Sequence, residues 1–172
     1  MLYKEFLKKL QDEEFEYLVV GGLAVNLHGY SRITNDLDIL ILLSEENIKK
    51  FVRVIKSLNY KPKVPVELED FISEGNRKKW IEEKNMKVFS VYNPKNELEH
   101  IDTLLVYSLD FKDVYKRKVV YKVHDIEIPT ISIRDLIKLK KEAGRKIDEL
   151  DINVLTRILE LKGLKEWKTK RK

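Results

Sequence analysis

Glu16–Leu43 reads EYLVVGGLAVNLHGYSRITNDLDILILL. Tyr17–Val20 is an apolar run of strand length, and Gly21-Gly22 breaks it. Leu23–His28 then predicts a short helix ended by Gly29, a residue suited to helix C-termini. A polar loop leads into a second apolar strand that opens on Asp36 and Asp38. Residues two apart on a strand share a face, so both carboxylates project together while Leu37, Ile39 and Ile41 take the other side. Taken singly, Asp36 reads as a turn residue and Asp38 as an edge-strand charge. As a pair at the head of an apolar strand they are costly unless a cation neutralises them. Mg²⁺ suits them best, being a hard ion that prefers carboxylate oxygens and fills its other positions with phosphate oxygens.

A two-ion site for phosphoryl chemistry wants a third carboxylate, because the ions sit about 3.5–4 Å apart and clamp the attacking and leaving oxygens. Asp102, in EHIDTLLV, stands at the start of another apolar strand and is the best candidate, with Glu99 its nearby competitor. A strand carrying Asp102 beside the Asp36 strand would bring the three together. Gly21 and Gly22 answer a second need, since glycine permits positive φ and lets backbone amides approach a phosphate closely. The helix that follows turns its N-terminus towards that charge. Arg32 and Thr34, in the loop before Asp36, are candidate phosphate or base contacts.

The remaining chain reads as an α+β domain. Tyr3–Leu10 has the spacing of one helical face, and Ser44 caps a helix whose stripe is Phe51, Val54, Ile55 and Leu58. Two short helices are expected near Glu67–Ile72 and Arg77–Glu83. Met86–Tyr92 and Leu98–Tyr107 form a hairpin, Phe111–Arg117 a short helix, and Val119–Val123 with Ile126–Ile128 a second hairpin turning at His124-Asp125. From Ser132, which resembles a capping-box start, the chain is helical to about Leu161 with a break at Ala143-Gly144. Residues 1–131 are expected to form the core, with 132–172 as helices packed upon it and a basic tail from Lys165.

Within those helices, Lys140 falls inside the arc of Ile133, Leu136, Ile137, Leu139 and Ala143. Asp151 falls inside the arc of Ile147, Leu150, Val154, Ile158 and Leu161. A lysine in an apolar stripe needs a partner. Either Lys140 reaches the phosphates, or Lys140 and Arg145 form an ion-pair network with Asp148 and Asp151. The reading adopted gives Lys140 to the phosphates and the other three to the network.

Composition narrows the function classes. With no cysteine there is no disulfide or thiolate metal site, and three scattered histidines make no zinc site. No apolar run is long enough to span a bilayer, so no membrane association and a cytoplasmic location are expected. The P-loop, dinucleotide and nucleophile-elbow strings are absent. His28, His100 and His124 read as packing, strand and turn residues. A net charge of +5 favours a polyanionic partner.

Gly21-Gly22 followed by Asp36-Leu37-Asp38 resembles the glycine pair and D-x-D signature of the polymerase-β-type nucleotidyltransferases. The fuller string GGLAVNLHGYSRITNDLDIL, with LIKLKKEAGRKIDELDI near the C-terminus, is similar to the AbiEii/AbiGii-toxin-type branch. Many relatives carry serine where this chain has Gly22, so a hydroxyl contact to phosphate is missing there. The resemblance implies a nucleotidyltransferase fold, with a mixed central sheet, flanking helices and C-terminal helices. It also implies two Mg²⁺ ions, and transfer of NMP from an NTP to an acceptor hydroxyl. Asp36 and Asp38 would hold both metals, and Asp102 would help hold one and activate the acceptor. It further implies the toxin half of a toxin–antitoxin pair, with tRNA or another RNA as acceptor and an antitoxin protein as partner. The alternative is a nucleotide- or RNA-binding module with a vestigial catalytic centre.

Overall fold

The computed structural model describes residues 2–169, with side chains described as far as Gly163. In chain order the elements are α1 (Lys4–Asp12), β1 (Tyr17–Val19), α2 (Gly21–Leu27), β2 (Asp36–Ile41), α3 (Glu45–Ser57) and β3 (Lys61–Pro62). A short 3-10 helix (Leu68–Ile72) is followed by α4 (Glu74–Lys84), β4 (Val88–Asn93), β5 (Asn96–Leu104) and α5 (Phe111–Lys116). The chain ends in β6 (Val119–Val123), β7 (Ile126–Thr130), α6 (Ile133–Ala143) and α7 (Lys146–Thr169). These follow the sequence expectations closely, and the side chains of the basic tail lie outside the described residues. Among the described residues no helix is long and apolar enough to cross a membrane.

The strands form one mixed sheet in the order β3-β4-β5-β2-β1-β7-β6. β1 runs antiparallel to β2, with Leu18 opposite Leu40, and parallel to β7. β2 runs parallel to β5 in the register Asp36↔His100, Leu37↔Ile101, Asp38↔Asp102 and Ile39↔Thr103. A parallel pair requires a crossover connection, and α3, α4 and the antiparallel β4 fill it.

One face of the central strands is mostly apolar. Leu37, Ile39, Ile41, Ile101 and Phe89 are fully buried in one cluster with Phe6, Leu7 and Leu10 of α1 and Ile48, Phe51 and Ile55 of α3. Each such side chain contributes roughly 1.5–3 kcal/mol by leaving water. Aromatic rings run through this layer: Phe51 meets Phe71 edge-on at 6.0 Å, and Phe71 stacks on Phe89 at 4.3 Å. With that face filled, the opposite face of β2 and β5 is left for Asp36, Asp38 and Asp102.

Local chemistry sets the element ends. Ser44, Ser73, Asp110 and Ser132 each accept an N-terminal backbone amide at the starts of α3, α4, α5 and α6. Buried Asn47 accepts from Glu16 N at 2.9 Å and donates to Glu16 O and Leu42 O, tying the chain before β1 to the chain after β2. Tyr3 reaches the opposite end of β2. Its hydroxyl bonds Asn35 O and lies 2.9 Å from His100 O, while His100 N donates to it at 3.1 Å. It thereby clasps the two strand ends next to Asp36.

The helical arcs need one correction. On α7, Ile147, Leu150 and Leu161 are about half exposed, whereas Asp148, Asp151 and Leu155 are buried. The helix is rotated from the orientation its apolar residues suggest, because the two aspartates meet Lys140 on α6.

Candidate active site

Asp38 and Asp102 are register partners on adjacent parallel strands, so their side chains leave the sheet together on the open face. Asp36 shares that face but lies two residues nearer the strand's start, roughly 6–7 Å away along it. Its side chain is 53% exposed, with His100 Nδ1 at 3.7 Å. Glu99, the competitor for the third position, is spoken for by Tyr60, whose hydroxyl donates to Oε2 at 2.5 Å, and by Asn93 Nδ2 at 2.7 Å. Strand alternation sends it to the face opposite Asp102.

Burial is the main reason that the Asp38 carboxyl is pushed up to about 6, and the charges of Asp102 and Asp36 add to it. Arg145 and the Gly22 amide act in the opposite sense. Asp102 Oδ1 is buried without a hydrogen-bond partner. A like-charged pair with an orphaned oxygen fits a hard divalent cation, and all the donors here are carboxylate oxygens. Among the described residues, however, no three His, Cys, Asp or Glu side chains converge as a ready-made ion cage. The register pairs Asp38 with Asp102, and Asp36 stands apart at the mouth.

The glycine pair is shaped around these groups. Gly21 has φ +61°, and a Cβ on it would lie 1.8 Å from Asp38 Oδ2, so only glycine lets that carboxylate sit over the start of α2. A Cβ on Gly22 would lie 2.6 Å from Thr34 Oγ1 and 2.7 Å from Arg32 Nη2. The loop has folded over Gly22 and brings a hydroxyl and a guanidinium to the helix N-terminus. The hydroxyl that Gly22 lacks is therefore present from Thr34, which alters the expectation drawn from serine-bearing relatives. Asn26 holds the loop by donating to Arg32 O at 2.9 Å and accepting from Arg32 N at 3.0 Å.

The phosphate reading of Lys140 is corrected by its surroundings. Its ammonium is 3% exposed and donates to Asp148 Oδ1 at 2.9 Å and Asp151 Oδ2 at 2.7 Å. An ammonium among apolar neighbours is stable only when paired, and here two carboxylates take it inward. Arg145, with Lys87 and the inward-paired Lys140, lines the cleft at Asp38. Arg145 Nε lies 2.9 Å from Asp148 Oδ2, yet the side chain is 64% exposed, and its charge acts on Asp38. Burial favours protonation of Asp148, but hydrogen bonds from Arg145 and Lys140 outweigh it and hold its carboxyl below the ordinary value.

Arg145 lines a cleft of about 350 Å³ with Gly21, Asp38, Lys87, Val88 and Leu104. Sequence reading assigned Arg145 to the network alone. Its place after Gly144, at φ +62°, turns it towards Asp38 and was the available signal. His28 proves structural. It is 4% exposed, Nε2 donates to Ile131 O at 2.8 Å, and Nδ1 accepts from the Tyr121 hydroxyl at 2.8 Å.

No protein-family model and no curated protein matches the chain. Solved structures do. Lincomycin-bound lincosamide antibiotic adenylyltransferase LnuA is 17% identical with a TM-score of 0.59, over 89% of this chain and 93% of that one. A candidate nucleotidyltransferase from Thermotoga maritima is 16% identical with a TM-score of 0.54, over 99% and 96%. ANT(2″)-Ia in complex with adenylyl-2″-tobramycin is 9% identical with a TM-score of 0.58, over 94% and 89%. The chain has the nucleotidyltransferase fold.

Proposed function

We propose that the protein is a nucleotidyltransferase that moves a nucleoside monophosphate from an NTP to an acceptor hydroxyl. The observation that carries this reading is the pairing of Asp38 with Asp102 on adjacent strands, against a helix N-terminus that only glycine permits. Asp38 and Asp102, with Asp36 swinging in from the strand mouth, would hold Mg²⁺. When bound, the ion neutralises the carboxylates and stabilises charge on the transferring phosphoryl group. The Gly21 and Gly22 amides, Thr34, Arg32 and Arg145 take the polyphosphate. Asp102 accepts the proton of the acceptor hydroxyl as its oxygen bonds the α-phosphorus, and the bond from that phosphorus to pyrophosphate breaks in line.

RNA, and tRNA in particular, is the acceptor supported by the net charge of +5 and by the resemblance to the AbiEii/AbiGii-type branch. That resemblance also supports a toxin held in check by an antitoxin protein. A second reading, a small-molecule acceptor, is favoured by the 350 Å³ cleft at Asp38 and by the lincomycin and adenylyl-tobramycin in two neighbours. Incubation with each labelled NTP, Mg²⁺ and either total RNA or a set of polyhydroxylated small molecules separates the two. Label on an RNA 3′ end supports the first, and label on a small molecule supports the second. If every acceptor stays unlabelled, the vestigial-centre reading replaces both.

A further inference from the structure

Two arginines flank the corner made by Gly22 and Asp38, and aspartates of a single helix hold both. Arg32 covers Gly22, and its Nε lies 3.2 Å from Asp151 Oδ1. On the other side Arg145 Nε meets Asp148 Oδ2 at 2.9 Å. Lys140 bridges the remaining oxygens, Asp148 Oδ1 and Asp151 Oδ2. The result is a continuous chain, Arg32–Asp151–Lys140–Asp148–Arg145, whose middle three members are at most 3% exposed.

A simple hairpin staple needs less. One aspartate would neutralise Lys140, and a second buried carboxylate adds a desolvation cost. Here each aspartate gives one oxygen to Lys140 and turns the other to an arginine at the candidate site. The Arg32 guanidinium faces Asp151 as an ion pair without hydrogen-bond alignment, leaving Nε and Asp151 Oδ1 unsatisfied, and Nη1 donates to Ile33 O at 3.3 Å. Its Nη2 is directed over the helix start. Guanidinium forks suit phosphate oxygens, and one whose Nε side faces a buried carboxylate while Nη1 bonds the backbone presents Nη2 in one orientation.

We propose that Asp151 and Asp148 are positioning residues for the polyphosphate of the nucleotide, acting through Arg32 and Arg145. Lys140 is the buried counter-cation that fixes the spacing between them. The C-terminal hairpin is thus part of the nucleotide site as well as a packing element. This rests on the reading that an NTP binds at Gly21–Asp38.

Calorimetric titration of the full chain with Mg-ATP, and separately with Mg-tripolyphosphate, tests the proposal. Failure of the wild type to bind either ligand overturns the nucleotide reading itself. Given wild-type binding, the paired variant Lys140→Met/Asp151→Asn removes one buried charge of each sign, and the buried carboxylate that remains, Asp148, keeps Arg145 as its partner. With its fold confirmed by circular dichroism, it should bind tripolyphosphate about tenfold more weakly, as expected for one misplaced charge-assisted contact. Arg32→Gln should lose a similar factor, and adding it to the paired variant should cost nothing further, because the two changes disable one contact. Affinity of the folded paired variant within about twofold of wild type, or losses that multiply in the combined variant, would overturn the proposal. If the paired variant does not fold, Arg32→Gln and Arg145→Gln decide the matter. Unchanged tripolyphosphate affinity in both overturns it, and a loss in both supports it.

Discussion

At Asp38, chemistry and stability pull in opposite directions. Burial, with the charges of Asp102 and Asp36, lifts its carboxyl to about 6 from an ordinary value of 3.8. The folded state therefore binds this proton more tightly than the unfolded chain does. As pH rises from 3.8 towards 6 the folded protein loses stability, and above 6 the whole penalty is present, on the order of 1–3 kcal/mol. Asp38→Asn should then be more stable than wild type at pH 8 by about that amount, with the gain vanishing near pH 4, in urea titrations without metal. It should have no measurable transferase activity. Wild-type affinity for Mg²⁺ should weaken as pH falls through about 6, because the ion competes with that proton. Gly21→Ala places a methyl 1.8 Å from Asp38 Oδ2 at φ +61°. A loss of about 1–3 kcal/mol of stability and at least ~100-fold in activity is expected, read from denaturation midpoints and from label transfer.

At the scale of elements, the α6–α7 hairpin shows what patterning conveys and what it misses. The isolated lysine in the stripe of α6 marked Lys140 as needing a partner, but the reading adopted sent it to the phosphates, and the aspartates of α7, weighed as the alternative, are the partners it meets. Their arc was not legible, because Ile147, Leu150 and Leu161 suggest one face while the ion pairs fix another. Hydrophobic periodicity weighs apolar area alone, and here two buried carboxylates bonded to one ammonium override it. Lys140→Ala should cost about 3–5 kcal/mol in urea titration, since it leaves Asp148 and Asp151 buried against a cavity. Lys140→Met/Asp151→Asn should recover most of that loss. The loop over Gly22 was equally hidden. Arg32 and Thr34 were legible as polar loop residues before the carboxylates, but their approach to Gly22 depends on the fold.

At the scale of the molecule, local signals located nearly every element, and the long-range pairing came from chemistry. No periodicity dictates that β5 lies parallel to β2. Asp102 at the head of an apolar strand suggested only that the two strands are neighbours; the parallel sense and the register opposite Asp38 come from the fold. Asp36 departs from the expected convergence because a strand advances about 3.3 Å per residue, which leaves it at the mouth beside His100. On the proposed reading, that arrangement binds a cation that the unfolded chain does not. Mg²⁺ should therefore raise the melting temperature of wild type, the rise growing with the logarithm of its concentration above Kd, and should leave Asp102→Asn nearly unchanged. The central claim, that Asp36, Asp38 and Asp102 form a transferase centre, is tested most directly by transfer of α-labelled NTP to total RNA and small acceptors with Mg²⁺. Label incorporated by wild type and abolished in Asp36→Ala/Asp38→Ala is the result predicted. Incorporation that survives in the double variant, or none from any of the four NTPs with wild type, would contradict it.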